Sequence, residues 1–241
     1  MRRERITRVE LRGVTHQFKP DPAIFSDLNF TLPLGETVVL QGGPGSGRSI
    51  LMKIMAGLLE PTAGQILYND KSIHELSFDE FGPMRLSTTF GFEDGGLLMN
   101  KTLEENLRLG LFYHRSWRAD RQKVLQDELV ESFEIGPFLH LRPSALSASV
   151  KKIAGFVRTF LHNAQIVYLD EPSPGLGENS IKALNYWIER IRKESKPDEI
   201  LVIASSDEGF LKGKKIDRFL KLENGKLIDE GQRKNVQKRT A

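Results

Sequence analysis

The 241-residue sequence contains no cysteine, which excludes a disulfide framework and any metal site built from thiolates. It also lacks any apolar run approaching the roughly 20 residues of a membrane-spanning helix, and no apolar signal stretch follows its basic first residues. The net charge of +3 is too small to indicate nucleic-acid binding by itself. We therefore expect a globular protein of the cytoplasm that does not bind nucleic acid.

A glycine-rich segment, residues 42–49, matches the phosphate-binding pattern G-x-x-x-x-G-K-[ST] except that Arg48 replaces the lysine. The apolar residues 38–40 before it predict a strand, and residues 50–56 after it predict a helix. Such a turn directs backbone N–H groups and the positive end of the helix dipole at one point, which suits phosphates. The candidate nucleotide-binding residues of this segment are Gly42, Gly43, Pro44, Gly45, Ser46, Gly47, Arg48, Ser49 and Ile50.

Two carboxylates follow a second apolar run, residues 166–169, about 120 residues after the glycine-rich segment. In many P-loop ATPases such an aspartate holds Mg²⁺ together with the loop hydroxyl, which gives these roles to Asp170 and Ser49. The adjacent Glu171 is a candidate general base for the attacking water, although an idle helix cap is the alternative.

The remaining periodicities indicate the elements around these motifs. Alternation of apolar and polar residues over 6–40 predicts antiparallel strands. Apolar spacings of three and four over 103–135 predict a helical insertion, whose aliphatic stripe, Val124 included, we expect to be core. Asn-Gly at 224–225 predicts a hairpin turn.

The chain resembles the nucleotide-binding subunits of ABC transporters from about residue 9 to 231. The matching segments, in order, are residues 34–38, 56–64, 92–98 and 101–106 (Q-loop and helical subdomain), 143–150 (signature), 171–177 (D-loop) and 203–207 (switch). The resemblance implies an α/β fold with a P-loop RecA-like core, an N-terminal antiparallel β layer and an inserted helical subdomain. It also implies one domain over 1–241, with the helical subdomain at about 96–160.

The resemblance also implies ligands and partners. These are ATP or ADP with Mg²⁺, a second ATPase subunit, and transmembrane permease subunits at the inner face of the cell membrane. Phe18 falls where an aromatic side chain stacks on adenine, although a core or strand-edge position is the alternative. Residues 97–102 are similar to bacterial lipid-export, MCE-type and cell-division ATPases, and Leu97, Leu98 and Met99 are consistent with a membrane-partner contact.

The chain departs from the family at five of its nucleotide-site motifs. The replacements are Arg48 for the P-loop lysine, Glu93 for the Q-loop glutamine, Ser147-Ala148-Ser149 for signature Ser-Gly-Gly, Gly177 for the D-loop aspartate, and Ser206 for the switch histidine.

Preorganised donors around a phosphoryl group carry much of the catalysis, so we expect weak or absent hydrolysis. Glu93 is either a metal ligand beside Ser49 and Asp170 or a solvated carboxylate. Changes on both the P-loop and signature sides favour a heterodimer over a homodimer. The alternative function is a scaffold or regulatory subunit that works by protein contacts without productive nucleotide use.

Overall fold

The computed structural model describes residues 3–113, 119–194 and 198–231. The strands are β1 (Val9–Gln17), β2 (Ala23–Leu32), β3 (Thr37–Gln41), β4 (Ala63–Tyr68), β5 (Lys71–Ser72), β6 (Thr88–Gly91), β7 (Ile166–Asp170), β8 (Ile200–Ala204), β9 (Arg218–Glu223) and β10 (Lys226–Gly231). The helices are α1 (Arg48–Met55), α2 (Phe78–Arg85), α3 (Leu103–Tyr113), α4 (Ala119–Ser132), α5 (Ala148–Leu161), α6 (Glu178–Glu194) and α7 (Glu208–Leu211). None of the helices within these ranges is long and apolar enough to span a membrane.

The larger sheet runs in the order β10-β9-β3-β8-β7-β6. Its strands pair in parallel except for β10, which is antiparallel to β9. Every residue of β7 and β8 is buried, as expected for central parallel strands covered on both faces. Because the carboxyl ends of parallel strands meet at one edge, the segments after β3, β8 and β7 lie side by side there.

The smaller sheet runs in the order β2-β1-β4-β5, and β1 is antiparallel to both of its neighbours. Its buried side chains, among them Val9, Leu11 and Phe25, join the core cluster that also holds residues of β3 and α1. The predicted antiparallel layer is therefore confirmed, and it packs beside the strand and helix that flank the glycine-rich loop. The predicted hairpin is also present, with positive φ values of 49° at Asn224 and 73° at Gly225.

The predicted helical insertion consists of α3, α4 and α5, which lie between β6 and β7 in the chain. Leu103, Leu107 and Leu129 are buried as expected, and α5 packs against α3, α4 and β6. The prediction that Val124 is core is wrong, because this side chain is exposed. Leu129 is five positions further along the chain, and that spacing puts the two on different faces of a helix with 3.6 residues per turn. The subdomain limits of about 96–160 stay a prediction.

Candidate nucleotide site

The glycine-rich loop leaves β3 and enters α1 at the carboxyl edge of the larger sheet. Gly47, the residue before α1, has a φ of 93°, a conformation that residues with a Cβ rarely adopt. A Cβ at this position would also lie 2.5 Å from Cγ2 of Ile24 on β2. Glycine at position 47 is therefore required both by the backbone and by the antiparallel layer that packs on the loop.

The loop fits phosphate groups. No side chain caps the N-terminus of α1, and its first turn contains no acidic residue, so its first N–H groups are free to bind an anion. The buried Oγ of Ser46 has no hydrogen-bond partner in the described part of the chain. A Cβ built at Gly43 or Gly45 would meet no atom within 4 Å, which shows open space on that side of the loop.

Ser49 and Asp170 are in direct contact, as their proposed common role requires. Ser49 Oγ donates to Asp170 Oδ1 at 2.8 Å. Burial raises the pKa of Asp170, and the Ser49 hydrogen bond and the charge of Lys53 partly offset this shift. A hydroxyl and a carboxylate are oxygen ligands of the kind that Mg²⁺ prefers.

The described residues contain no group of three or more His, Cys, Asp or Glu side chains placed to hold a metal ion. Any Mg²⁺ held by Ser49 and Asp170 therefore needs further oxygens, which nucleotide phosphates and water would supply. Glu93 is exposed on the loop after β6, and its charge contributes to the raised pKa of both Asp170 and Glu171. Glu93 is thus within electrostatic range of the pair without a direct contact to it.

Arg48 links all three strand ends. Its Nη2 lies 2.7 Å from Glu171 Oε1, and its Nη1 donates to Ser206 Oγ. Ser206 Oγ in turn donates to the carbonyl oxygen of Gly42 at 2.8 Å. The arginine that replaces lysine therefore joins the candidate base, the switch position and the start of the loop in one network.

Glu171 has a left-handed backbone conformation and a carboxyl group with a raised pKa. Its φ is 42°, in the left-handed region, and its N–H donates to the carbonyl of Ala204 on β8 at 3.0 Å. Burial raises the pKa of its carboxyl group, and the charge of Arg48 is the largest opposing influence. The Glu171 carboxylate is therefore both shielded from water and paired with the guanidinium of Arg48.

The residues at the signature position begin a helix. Ser147 caps α5, and its Oγ accepts from the N–H of Val150 at 3.3 Å. Ser147 and Ala148 are exposed and Ser149 is half-buried. These three residues take no part in the network of Arg48, and Gly177 lies exposed just before α6.

Phe18 lies just after β1 and is 52% exposed, so it is not a core residue, and a position at the end of a strand stays the alternative to stacking on adenine. Its ring meets His16 edge to face, with centroids 5.0 Å apart. His16 packs in turn on Phe25 at 6.2 Å, and a Cβ at Gly47 would lie 3.2 Å from the Phe25 ring. Phe18 is thus an exposed aromatic surface connected to the loop by two buried rings.

Two features of the site were not predicted from the sequence. Ser173 Oγ donates to Asp207 Oδ2 at 2.7 Å, which ties the segment after β7 to the segment after β8. Lys152 on α5 is buried, and its ammonium donates to the carbonyl of Pro174 at 2.8 Å. The sequence signal for the burial of Lys152 is its place next to the apolar residues 153–157. A helix that packs on a sheet buries such a segment.

The parallel sheet with a glycine-rich loop at its carboxyl edge defines the P-loop class of nucleotide-binding folds. Residues 25–174 match the family described as ABC transporter. The chain belongs to this family.

Relatives cover the chain to different extents. A probable ribonucleotide transport ATP-binding protein of Mycobacterium leprae is 32% identical over 170 residues, which are 70% of this chain and 48% of the relative. The chain thus spans about half the length of that protein. A lipoprotein-releasing system ATP-binding protein, LolD of Wigglesworthia glossinidia brevipalpis, is 26% identical and matches over 91% of this chain and 95% of its own. A solved dimeric ATP-binding cassette bound to ADP and Pi has the same fold, with a TM-score of 0.80 and 22% identity over 94% of this chain and 99% of that one.

Proposed function

We propose that this chain binds ATP or ADP with Mg²⁺, hydrolyses ATP weakly or not at all, and couples its nucleotide state to transmembrane permease subunits. The observation that carries the proposal is the contact of Arg48 with both Glu171 and Ser206. Nucleotide binding is supported by the open loop, the uncapped N-terminus of α1 and the contact between Ser49 and Asp170. These groups supply phosphate donors and metal ligands independently of the arginine.

Weak hydrolysis follows from what Arg48 does to the candidate base. A general base must reach a proton of the attacking water, at a heavy-atom distance of about 2.6–3.2 Å. One oxygen of Glu171 already accepts from the guanidinium at 2.7 Å, and the charge of Arg48 opposes the rise that burial gives to the pKa of this carboxyl group. Ser206, where the family has histidine, is bound to the same guanidinium and is too short to replace it.

The partner we propose is a different ATPase subunit. In the family, the signature of one subunit meets the nucleotide on the other. Ala148 and Ser149 carry Cβ atoms where the family has glycines, which hinders a close backbone approach to a phosphate. A homodimer would therefore combine an altered P-loop site with an altered signature at both nucleotides, whereas a competent partner contributes one normal half to each.

The proposed location is the inner face of the cell membrane, through the permease partners. Lipid or lipoprotein cargo is favoured because the likeness to LolD covers 91% of this chain, while that to the ribonucleotide transport relative covers 70%.

The test has two arms on the complex purified from detergent-solubilised membranes. A fluorescent ATP analogue with Mg²⁺ should saturate at two sites per ATPase pair, and saturation at the partner's site alone would overturn the proposal in favour of the scaffold function. Steady-state ATPase should change little in Glu171→Gln. A substantial wild-type turnover that this substitution abolishes would show that Glu171 is a working base.

The scaffold remains the second candidate, and the Arg48 network also favours it. The guanidinium finds its partners within the chain, so the loop is stabilised without a phosphate. The first arm above separates the two functions, because a scaffold leaves only the partner's P-loop to bind nucleotide and halves the number of sites per ATPase pair.

A further inference from the structure

Lys152 is a buried cation on the helix that begins at the signature position. The residue is 5% exposed, and lysine is almost never buried to this degree unless it is paired. Its ammonium donates to the carbonyl oxygen of Pro174 at 2.8 Å. Pro174 lies three residues after Glu171, so Lys152 joins α5 to the segment that leaves the candidate site.

Three carboxylates act on this ammonium. Burial lowers the pKa of Lys152, and the charges of Glu93, Glu171 and Asp170 oppose that shift, with Glu93 the strongest of the three. Glu171 already has Arg48 as an ion-pair partner, and Asp170 accepts from Ser49. Glu93 adds a negative charge that the family's glutamine does not carry. Lys152 is the cation that offsets this charge, because Arg48 and Ser49 already engage the other two carboxylates.

The backbone explains why Glu93 and Lys152 are neighbours. A Cβ on Gly155 would lie 2.5 Å from the carbonyl oxygen of Gly95, and a Cβ on Gly95 would overlap the carbonyl of Lys151. Arg158 Nη2 also donates to Gly95 O at 3.1 Å. The loop after β6 thus rests directly on α5 at Gly95, whose Cβ would lie 3.2 Å from the Lys152 backbone nitrogen. Glu93 is two residues before Gly95, so its backbone lies close to this part of α5.

We propose that Lys152 is a positioning residue of the nucleotide site, which compensates the charge of Glu93 and holds the Pro174 segment against α5. This inference rests on the proposed nucleotide binding. With the ammonium present, the carboxylates around the phosphate position are balanced by cations of the chain itself. Without it, an excess of negative charge repels the phosphates of an incoming nucleotide.

The experiment is a double-mutant cycle with Glu93→Gln and Lys152→Gln, because glutamine at 152 retains an N–H donor for Pro174. Affinity for a fluorescent ADP analogue is measured in EDTA, which removes any role of Glu93 as a metal ligand. Lys152→Gln should weaken binding about tenfold, Glu93→Gln should strengthen it, and the double variant should recover most of the loss. Lys151→Gln is the matched control, since it removes the same charge one residue away on α5, and it should change affinity less than about twofold.

A second readout needs no nucleotide. In a lysine-labelled NMR titration of the ligand-free chain, the pKa of Lys152 should fall further in Glu93→Gln, because the opposing carboxylate is gone. An unchanged titration, purely additive effects in the cycle, or equal losses in Lys151→Gln and Lys152→Gln would each overturn the proposal. If no variant binds nucleotide, nucleotide binding by this chain fails, and the titration still decides whether Glu93 and Lys152 are paired.

Discussion

Nη2 of Arg48 lies 2.7 Å from Oε1 of Glu171, with the two side chains only 13% and 18% exposed. Removing one partner of such a largely desolvated ion pair lowers stability strongly, because the remaining charge is left without a partner. The arginine at the lysine position is therefore more than a changed phosphate ligand. It holds one carboxylate oxygen of the candidate base in an ion pair.

We expect Arg48→Lys to raise the ATPase rate of the assembled complex by up to about tenfold. A lysine ammonium is a single point of contact and cannot replace the planar fork that spans Glu171 and Ser206. The gain stays below the roughly 10²–10³ associated with one preorganised donor, since four other positions remain altered. The matched control is Arg48→Lys with Glu171→Gln, which should return to the wild-type rate. An Arg48→Lys rate at or below wild type would show that the arginine does not suppress hydrolysis.

Opposite pH dependences are expected for two aspartates at the carboxyl edge of the sheet. Burial raises the pKa of Asp170, so its contribution to stability is full below the ordinary Asp value of 3.8 and is lost as pH rises through the folded-state pKa. Asp170→Asn does not titrate and keeps an acceptor for Ser49. It should therefore raise the free energy of unfolding near pH 7 by about 1 kcal/mol, with a smaller gain toward pH 4.

Asp207 is the control for that experiment. Hydrogen bonds from the Phe210 N–H and from Ser173 lower the pKa of Asp207, so its contribution is present above pH 3.8 and is lost as pH falls through the folded-state pKa. Asp207→Asn should thus destabilise the chain at pH 7 and much less at low pH, in urea unfolding followed across the same pH range. The same pH trend in both variants would contradict the assigned causes.

The sequence predicted these strands and turns well because each depends mainly on the residues within it. The apolar run before Asp170 gives a strand buried along its whole length, and Asn-Gly at 224–225 gives the hairpin turn. Helix α2 was not predicted, since it contains Pro83 and its apolar residues follow no clear helical period. Its start has a sequence signature, a capping box between Ser77 and Glu80, that was available.

The motifs indicated which residues form the candidate site, but not the contacts of each side chain. Arg48 and Ser206 are separated by 158 positions in the chain, and no periodicity reports that they bond. From the sequence, the replacements of the family's lysine by Arg48 and of its histidine by Ser206 were two separate changes. In the structure the two new side chains are hydrogen-bonded to each other. The apolar residues 153–157 indicated that Lys152 is buried, but no sequence pattern indicated that its ammonium reaches Pro174.

Phe18→Ala should weaken nucleotide binding by about tenfold, as expected when a base loses an aromatic stacking partner worth about 1–3 kcal/mol. Phe18 is exposed, so its removal should leave the unfolding free energy almost unchanged. Phe78→Ala is the matched control, because Phe78 is also exposed but lies on α2, away from the loop. Competition by unlabelled ATP and ADP measures the affinity. Equal affinities for the two variants would contradict the adenine platform.

Gly95→Ala tests the contact between the loop after β6 and α5. Gly95 and Gly175 have similar φ values, 87° and 78°, so alanine pays a comparable backbone strain at either position. Only at Gly95 would the new Cβ overlap the carbonyl of Lys151, while at Gly175 it would meet nothing within 4 Å. In urea unfolding, Gly95→Ala should therefore cost about 1–3 kcal/mol more than Gly175→Ala. Equal costs would mean that the loop does not rest on α5, and the placement of Glu93 beside Lys152 would lose its structural basis.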